Sequence, residues 1–219
     1  MFKKMLLALC AMSSIAFSAQ AIAQEAPDKM IRRITEEVMA AVQTDKKVQN
    51  GDRRSIQKII EEKILPNLDF ERTTALAAGR YWRDATPEQK QRLETEFRTL
   101  LIYTYSSAMS QLRDQKVEYD PFRADPADTD VEVFAHTVNT RGEPVRFGYR
   151  LIKKPDGWKV YDVNVLGAWM VQAYKDSFGA EIRKSGIDGL IKTLADKNAK
   201  LAANPPTKVE STQPPALQR

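Results

Sequence analysis

From Thr86 to Leu112 the apolar residues Leu93, Phe97, Leu101, Tyr105, Ala108 and Leu112 recur at three- and four-residue spacing, while Glu88 with Arg92 and Glu94 with Arg98 place opposite charges four apart. The pattern predicts one long helix with a dry face and a wet one. Thr86-Pro87-Glu88-Gln89 marks its start: Thr86 can cap, Pro87 takes the first helical position where its missing N–H costs nothing, and Gln89 can reach back. Between Leu100 and Tyr105 the apolar character spreads around most of the circumference, so the second half of this helix must be covered by more than one neighbour.

Upstream, Ile31, Ile34, Val38, Ala41 and Val42 predict a first amphipathic helix opening at Pro27-Asp28. Asn50-Gly51-Asp52 is a turn, and Ile56, Ile59, Ile60 and Ile64 predict a second helix that Pro66 ends, antiparallel to the first. Asp69 can cap a short third helix bearing Phe70, Leu76 and Ala77, which stops at Gly79. Downstream of Leu112 the period changes to alternation. Val117 and Tyr119, then Val131, Val133 and Ala135, then Val145, Phe147, Tyr149 and Leu151, then Trp158 to Val165 predict four antiparallel strands. Arg141-Gly142-Glu143 and Pro155-Asp156-Gly157 supply turns. The last strand is apolar on both parities, which requires either cover on both faces or a bulge. Gly167 is expected to open a helix carrying Trp169, Met170, Ala173 and Tyr174, and Gly186 to stop it before a final helix with Ile187, Leu190, Ile191 and Leu194. Helices, an antiparallel sheet and helices again predict an α+β fold in which a curved four-stranded sheet packs against the long helix and its flanking helices. Such a layout encloses either a filled core or an apolar pocket.

The first 23 residues are a separate object. Lys3 and Lys4, an apolar run from Met5 to Phe17 and the small residues around Ala21 and Ala23 read as a secretory signal peptide cut after Ala23. Cys10 follows Leu9, where a lipoprotein signal needs a small residue, so no lipid anchor is expected there. Loss of the leader removes the single cysteine, and with it disulfide and thiol chemistry. It also takes the formal charge from +5 to +3, and the basic pairs left are scattered among acids, which argues against a nucleic-acid partner. Residues 24–203 read as a single domain with room for a small helical subdomain. Residues 204–219, with Pro205, Pro206, Pro214 and Pro215 among Thr, Ser and Gln, read as a disordered tail.

Candidate chemistry is sparse. His136 lies in a strand with no recognisable nucleophile or metal partner near it in sequence, and Asp162 and Asp188 are single carboxylates at strand ends or turns. No metal-ligand spacing, phosphate-cradling glycine loop or nucleophile elbow occurs. An exported protein with a large apolar interior and no catalytic cluster is more simply a binder than an enzyme.

The segments Gly79-Arg80-Tyr81-Trp82, Ala85-Thr86-Pro87-Glu88-Gln89, Phe97-Arg98 and Lys184-Ser185-Gly186-Ile187-Asp188-Gly189-Leu190 resemble, in this order, the MlaC (toluene-tolerance) family of periplasmic phospholipid-binding proteins. The resemblance covers roughly Pro27 to Lys200. It implies a curved antiparallel sheet embraced by helices, an apolar pocket for the acyl chains of a diacyl glycerophospholipid, and no cofactor beyond that cargo. It further implies a soluble periplasmic shuttle, monomeric, that docks an inner-membrane ABC transporter complex and an outer-membrane lipoprotein–porin complex to maintain outer-membrane lipid asymmetry. On this reading the pocket wall comprises Phe97, Leu101 and Tyr105 from the long helix, Val133, Phe147, Tyr149 and Leu151 from the sheet, and Val165, Trp169 and Met170 at its end. The alternatives are an interaction module with a solid core, and a small cone-fold enzyme with His136 or Asp162 turned inward.

Overall fold

In the computed structural model, which describes residues 24–109, 116–138, 145–165 and 167–204, Thr86 and Gln89 cap each other reciprocally. The Gln89 N–H donates to Thr86 Oγ1 at 3.2 Å and the Thr86 N–H donates to Gln89 Oε1 at 3.0 Å, starting the long helix α5 where the sequence marks it. Helix α5 runs Pro87–Met109, and Glu94 and Arg98 pair along it. The signal peptide, Leu112, the Arg141-Gly142-Glu143 turn and positions 205–219 of the tail lie outside the described residues.

Ahead of α5 come α1 (Pro27–Thr44), the short α2 (Lys46–Gln49), α3 (Arg53–Ile59) and α4 (Phe70–Ala78). The turn expected around Gly51 is preceded by α2, which Asp45 caps through the Lys47 N–H. Pro66 has no N–H to continue an α-helix, and α3 loosens into a π turn (Ile60–Ile64) and then a 3-10 turn (Leu65–Asn67) as it reaches that residue. Asp69 caps α4 by accepting from the Arg72 N–H, and Gly79, at φ 60°, ends it. The first half of α1 packs Met30 and Ile31 on the sheet. Its second half packs Val38 and Val42 against Ile56, Ile59 and Ile60.

The sheet is an antiparallel meander in the order β1-β2-β3-β4-β5, made of β1 (Lys116–Tyr119), β2 (Asp130–Val138), β3 (Arg146–Lys154), β4 (Gly157–Val165) and β5 (Ala168–Trp169). Register puts Val133 opposite Tyr149, Ala135 opposite Phe147 and Val131 opposite Leu151, so these side chains share the inner face, toward the helices. Glu132, Phe134 and His136 alternate with them on the outer face. The two-parity problem of β4 is resolved by a bulge: Leu151 pairs with Val160 but Arg150 with Asp162, which leaves Tyr161 as the extra residue. Val160 and Val163 therefore face the same side. Helix α4 is tied to this strand by the Asp69 N–H donating to the Val160 carbonyl at 2.9 Å and by Thr73 Oγ1 donating to the Tyr161 carbonyl at 2.7 Å.

Two expectations for the chain after β4 need correction. Four strands become five, because Gly167, at φ 88°, turns the chain back and Ala168 and Trp169 pair with Val165 and Asn164. Trp169 is thus in a strand, and helix α6 (Met170–Ala203) begins one residue later. Gly186 adopts φ 72° and breaks α6 into two helical stretches, as a stop signal should.

Candidate functional site

Among the described residues the buried side chains fall into three clusters, where one contiguous core per domain is the usual arrangement. The first joins α4, α5 and α6 around Phe70, Phe97, Tyr174 and Phe178, whose rings meet at tilted or edge-on angles with centroids 4.8–5.6 Å apart. A second lies among α1, α2 and α3. The third sits between α1 and the sheet, with Met30, Ile31, Val131, Val133, Leu151 and Val160.

The apolar residues at the edges of these clusters are only partly buried. Ile34 touches both the second and the third and Leu68 both the first and the third, whereas Leu101 borders the first, Ile102 the second, and Tyr149 and Val163 the third. Every residue of α5 from Leu101 to Ser106 keeps some accessible surface, in the apolar half of the helix. Tyr149 is the most informative of the set. Protein surrounds its phenol closely enough that burial raises its pKa to about 12, yet the side chain is only partly buried. Tyr105 on α5 is also shifted upward by burial while keeping accessible surface.

Of the wall residues expected from the sequence, Leu101, Tyr105, Phe147, Tyr149 and Met170 are part-buried, Leu101 and Met170 packed against the first cluster and Tyr149 against the third. Val133 and Leu151 lie on the same inner face but are fully packed in the third cluster. Phe97 has no accessible surface and belongs to the aromatic cluster. Trp169 pairs with Asn164 and so stands on the outer face, stacked under the Arg150 guanidinium at 3.8 Å. The side chain of Val165 lies outside the described residues. Reading one stripe of α5 passed over Ile102, although the apolar character around Leu100 to Tyr105 signals a second dry side there. It also passed over Ile34 and Val163.

The outer face carries the charged groups. His136 Nδ1 lies 3.1 Å from Asp120 Oδ1, and Arg146 donates to the other Asp120 oxygen at 2.8 Å. Asp162, nearly inaccessible, accepts from the Val163 and Val171 N–H groups at 2.9 Å each and meets Arg150 at 3.4 Å. It thereby caps the first turn of α6, while burial raises its carboxyl pKa. Asp188 accepts from Gln89 Nε2 at 3.0 Å and ties α6 to the start of α5. Among the described residues no group of His, Cys, Asp and Glu side chains could hold a metal ion, and no helix is long and apolar enough to cross a membrane.

An antiparallel sheet faced by helices, with its buried apolar side chains gathered in separate clusters, defines an α+β protein. The comparisons agree in fold and in family. The model of the MlaC protein family matches residues 32–196, and the chain belongs to that family. It is 22% identical over 174 residues to the intermembrane phospholipid transport system binding protein MlaC of Haemophilus influenzae, covering 78% of this chain and 81% of that protein. It is 25% identical over 180 residues to the toluene tolerance protein ttg2D of Pseudomonas putida, covering 82% and 83% of the two chains. A solved structure of a phospholipid-binding protein from Ralstonia solanacearum, in complex with a phospholipid, superposes with a TM-score of 0.76 at 41% identity and covers 80% of this chain and 98% of that one.

Proposed function

We propose that the protein is a phospholipid carrier of the periplasm, which holds the acyl chains of a diacyl glycerophospholipid between α5 and the inner face of the sheet and passes the lipid between membrane complexes. The observation that carries this reading is the divided core with Tyr149 on its seam, deep in the protein yet incompletely packed. Binding of a phospholipid by a relative of the same fold at 41% identity supports the choice of ligand. The relative named for an intermembrane transport system supports the carrier role, with an inner-membrane ABC transporter complex and an outer-membrane lipoprotein–porin complex as its docking partners. The leader, with Lys3 and Lys4 before its apolar run, supports export. His136 and Asp162 both stand on the outer face, away from the seam, so the enzyme reading lacks the inward ionisable group it requires.

The energetics dictate how such a carrier works. Each buried methylene contributes about 0.8 kcal/mol, so two long acyl chains contribute well over ~10 kcal/mol before ordering losses. Release into water is then slow, and transfer requires a docked partner that offers a continuous apolar path. Mass spectrometry of an organic extract of the protein, purified without detergent, tests the reading. Near-stoichiometric diacyl phospholipid is the expected result. Folded protein whose extract is free of lipid would favour a solid-core interaction module.

A further inference from the structure

Six buried polar side-chain atoms among the described residues make no hydrogen bond. Four belong to Asp69, Arg72, Arg98 and Asn198, whose other polar atoms are bonded. The remaining two, the Tyr174 hydroxyl and Thr104 Oγ1, are the sole polar atoms of their side chains and have no compensation within the protein. Tyr174 is completely buried, its ring held edge-on to Phe97 and Phe178 at 4.8 and 5.6 Å. The Tyr174 and Tyr105 hydroxyls are near enough to influence each other's ionisation, without standing in hydrogen-bonding geometry. Thr104 is the chain neighbour of Tyr105 and shares a helix face with Phe97, two turns earlier.

A buried hydroxyl is rarely left unbonded in a native protein, because the hydrogen bonds it had with water are lost without replacement. Here Tyr174 is such a group, its hydroxyl near that of Tyr105 on α5, and Thr104, one residue before Tyr105 on the same helix, is a second. We infer that Tyr105 and Tyr174, with Thr104 beside them, form a polar subsite in the apolar interior that receives an ester carbonyl of the bound lipid. The inference rests on the carrier reading. The chemistry selects the group: a phenol is a good donor, and the polar atoms that stay attached to acyl chains in an apolar cavity are the ester carbonyls, which only accept. In the lipid-bound state, a shift that brings Tyr174 within donating distance of the Tyr105 oxygen leaves the Tyr105 O–H free to donate onward to the carbonyl, so one relay satisfies both phenols. The subsite fixes how deep the glycerol end of the lipid enters, where apolar walls alone would let the chains slide.

The test compares two lipids with equal chains, dipalmitoyl phosphatidylethanolamine and its dihexadecyl ether counterpart, which lacks both carbonyls. Lipid-stripped wild-type protein is offered both in competition, and bound lipid is quantified by mass spectrometry. The ester lipid should be retained roughly three- to tenfold over the ether lipid, the worth of one hydrogen bond. Tyr105→Phe and Tyr174→Phe should each bring that ratio close to one. Lipid-free Tyr174→Phe should melt no lower than wild type, since it gives up no hydrogen bond. Equal retention of the two lipids by wild type overturns the subsite, as does an equal loss of both lipids in the variants. Binding of neither lipid by folded wild type overturns the carrier reading and the subsite with it.

Discussion

The Trp169 ring lies 3.8 Å from the Arg150 guanidinium and faces it, and Arg150 in turn meets the buried Asp162 carboxylate at 3.4 Å. A bond from Arg150 Nε to Glu132 at 2.9 Å holds the guanidinium in place. The stack joins β2, β3, β4 and β5 and fixes the start of α6, since Asp162 also caps that helix through the Val171 N–H. Arg150→Ala should destabilise the protein by about 1–3 kcal/mol. This is below the loss seen when a fully buried pair is broken, because Arg150 retains a third of its exposure. Urea unfolding of lipid-free protein measures it, and a change within about 0.5 kcal/mol would show that the backbone N–H groups alone suffice for Asp162.

Asp162 also predicts a pH dependence. Burial raises its carboxyl above the ordinary value of 3.8, so within a window starting there and extending upward the folded state keeps a proton that the unfolded chain has released. The contribution of this group to stability therefore falls as pH rises through the window and is constant above it. Asp162→Asn cannot titrate. The stability of the variant relative to wild type should improve as pH rises through the window, read from urea midpoints at intervals between about pH 3 and pH 7. A difference that is flat, or that declines with pH, contradicts the assignment.

Leu101 and Phe97 lie one turn apart on α5 but in different surroundings. Leu101→Trp projects into the seam, so it should prevent lipid retention while the lipid-free midpoint moves by only ~1 kcal/mol. In a filled core the same enlargement costs roughly 1–3 kcal/mol or more. Phe97→Ala, inside the aromatic cluster, should instead lose about 3–5 kcal/mol. Both midpoints must be taken without lipid, because bound ligand stabilises the folded state by mass action.

On the outer face Gly148 sits under Phe134. A Cβ at position 148 would come within 2.8 Å of Phe134 Cε1 and 3.1 Å of Asn164 Cβ, and Arg146 lies over the same Phe134 ring at 5.0 Å. Gly148→Ala should therefore destabilise by about 1–3 kcal/mol, through displacement of that ring. Combined with Phe134→Leu the loss should be clearly less than additive, and simple additivity in a double-mutant cycle would place the strain elsewhere.

How much of this was legible in the sequence depended on the range of the forces involved. The start of α5 was legible because Thr86 and Gln89 lie within one turn and the cap is local chemistry. The same holds for Asp69 before α4 and for Gly79 and Gly186 at helix ends. The sheet came from alternation in β2 and β3. By contrast β5 is two residues long, too short for any period, and exists only because Gly167 returns the chain to Asn164. The Tyr161 bulge was visible as a conflict of parity, yet only its pairing with β3 resolves it. The site was half legible for a related reason. A stripe on α5 shows which side is dry, whereas the difference between Phe97, packed among rings, and Leu101, on a seam, is decided by α4, α6 and the sheet, all distant in sequence.

The division of the core has a mechanical consequence. Three packed bodies joined through Ile34 and Leu68 resist deformation internally and yield along the joints between them. Without cargo the protein should be softest at those joints, with faster amide exchange in the Leu101 to Ser106 turn of α5 and in the Val163 region of β4 than in either flanking body. If the acyl chains leave unfilled volume behind them, its loss on unfolding should make the empty form more sensitive to hydrostatic pressure than the loaded one. Acyl chains lying in the joints would act as a removable keystone, so that each delivery leaves behind a carrier more compliant than the one that arrived.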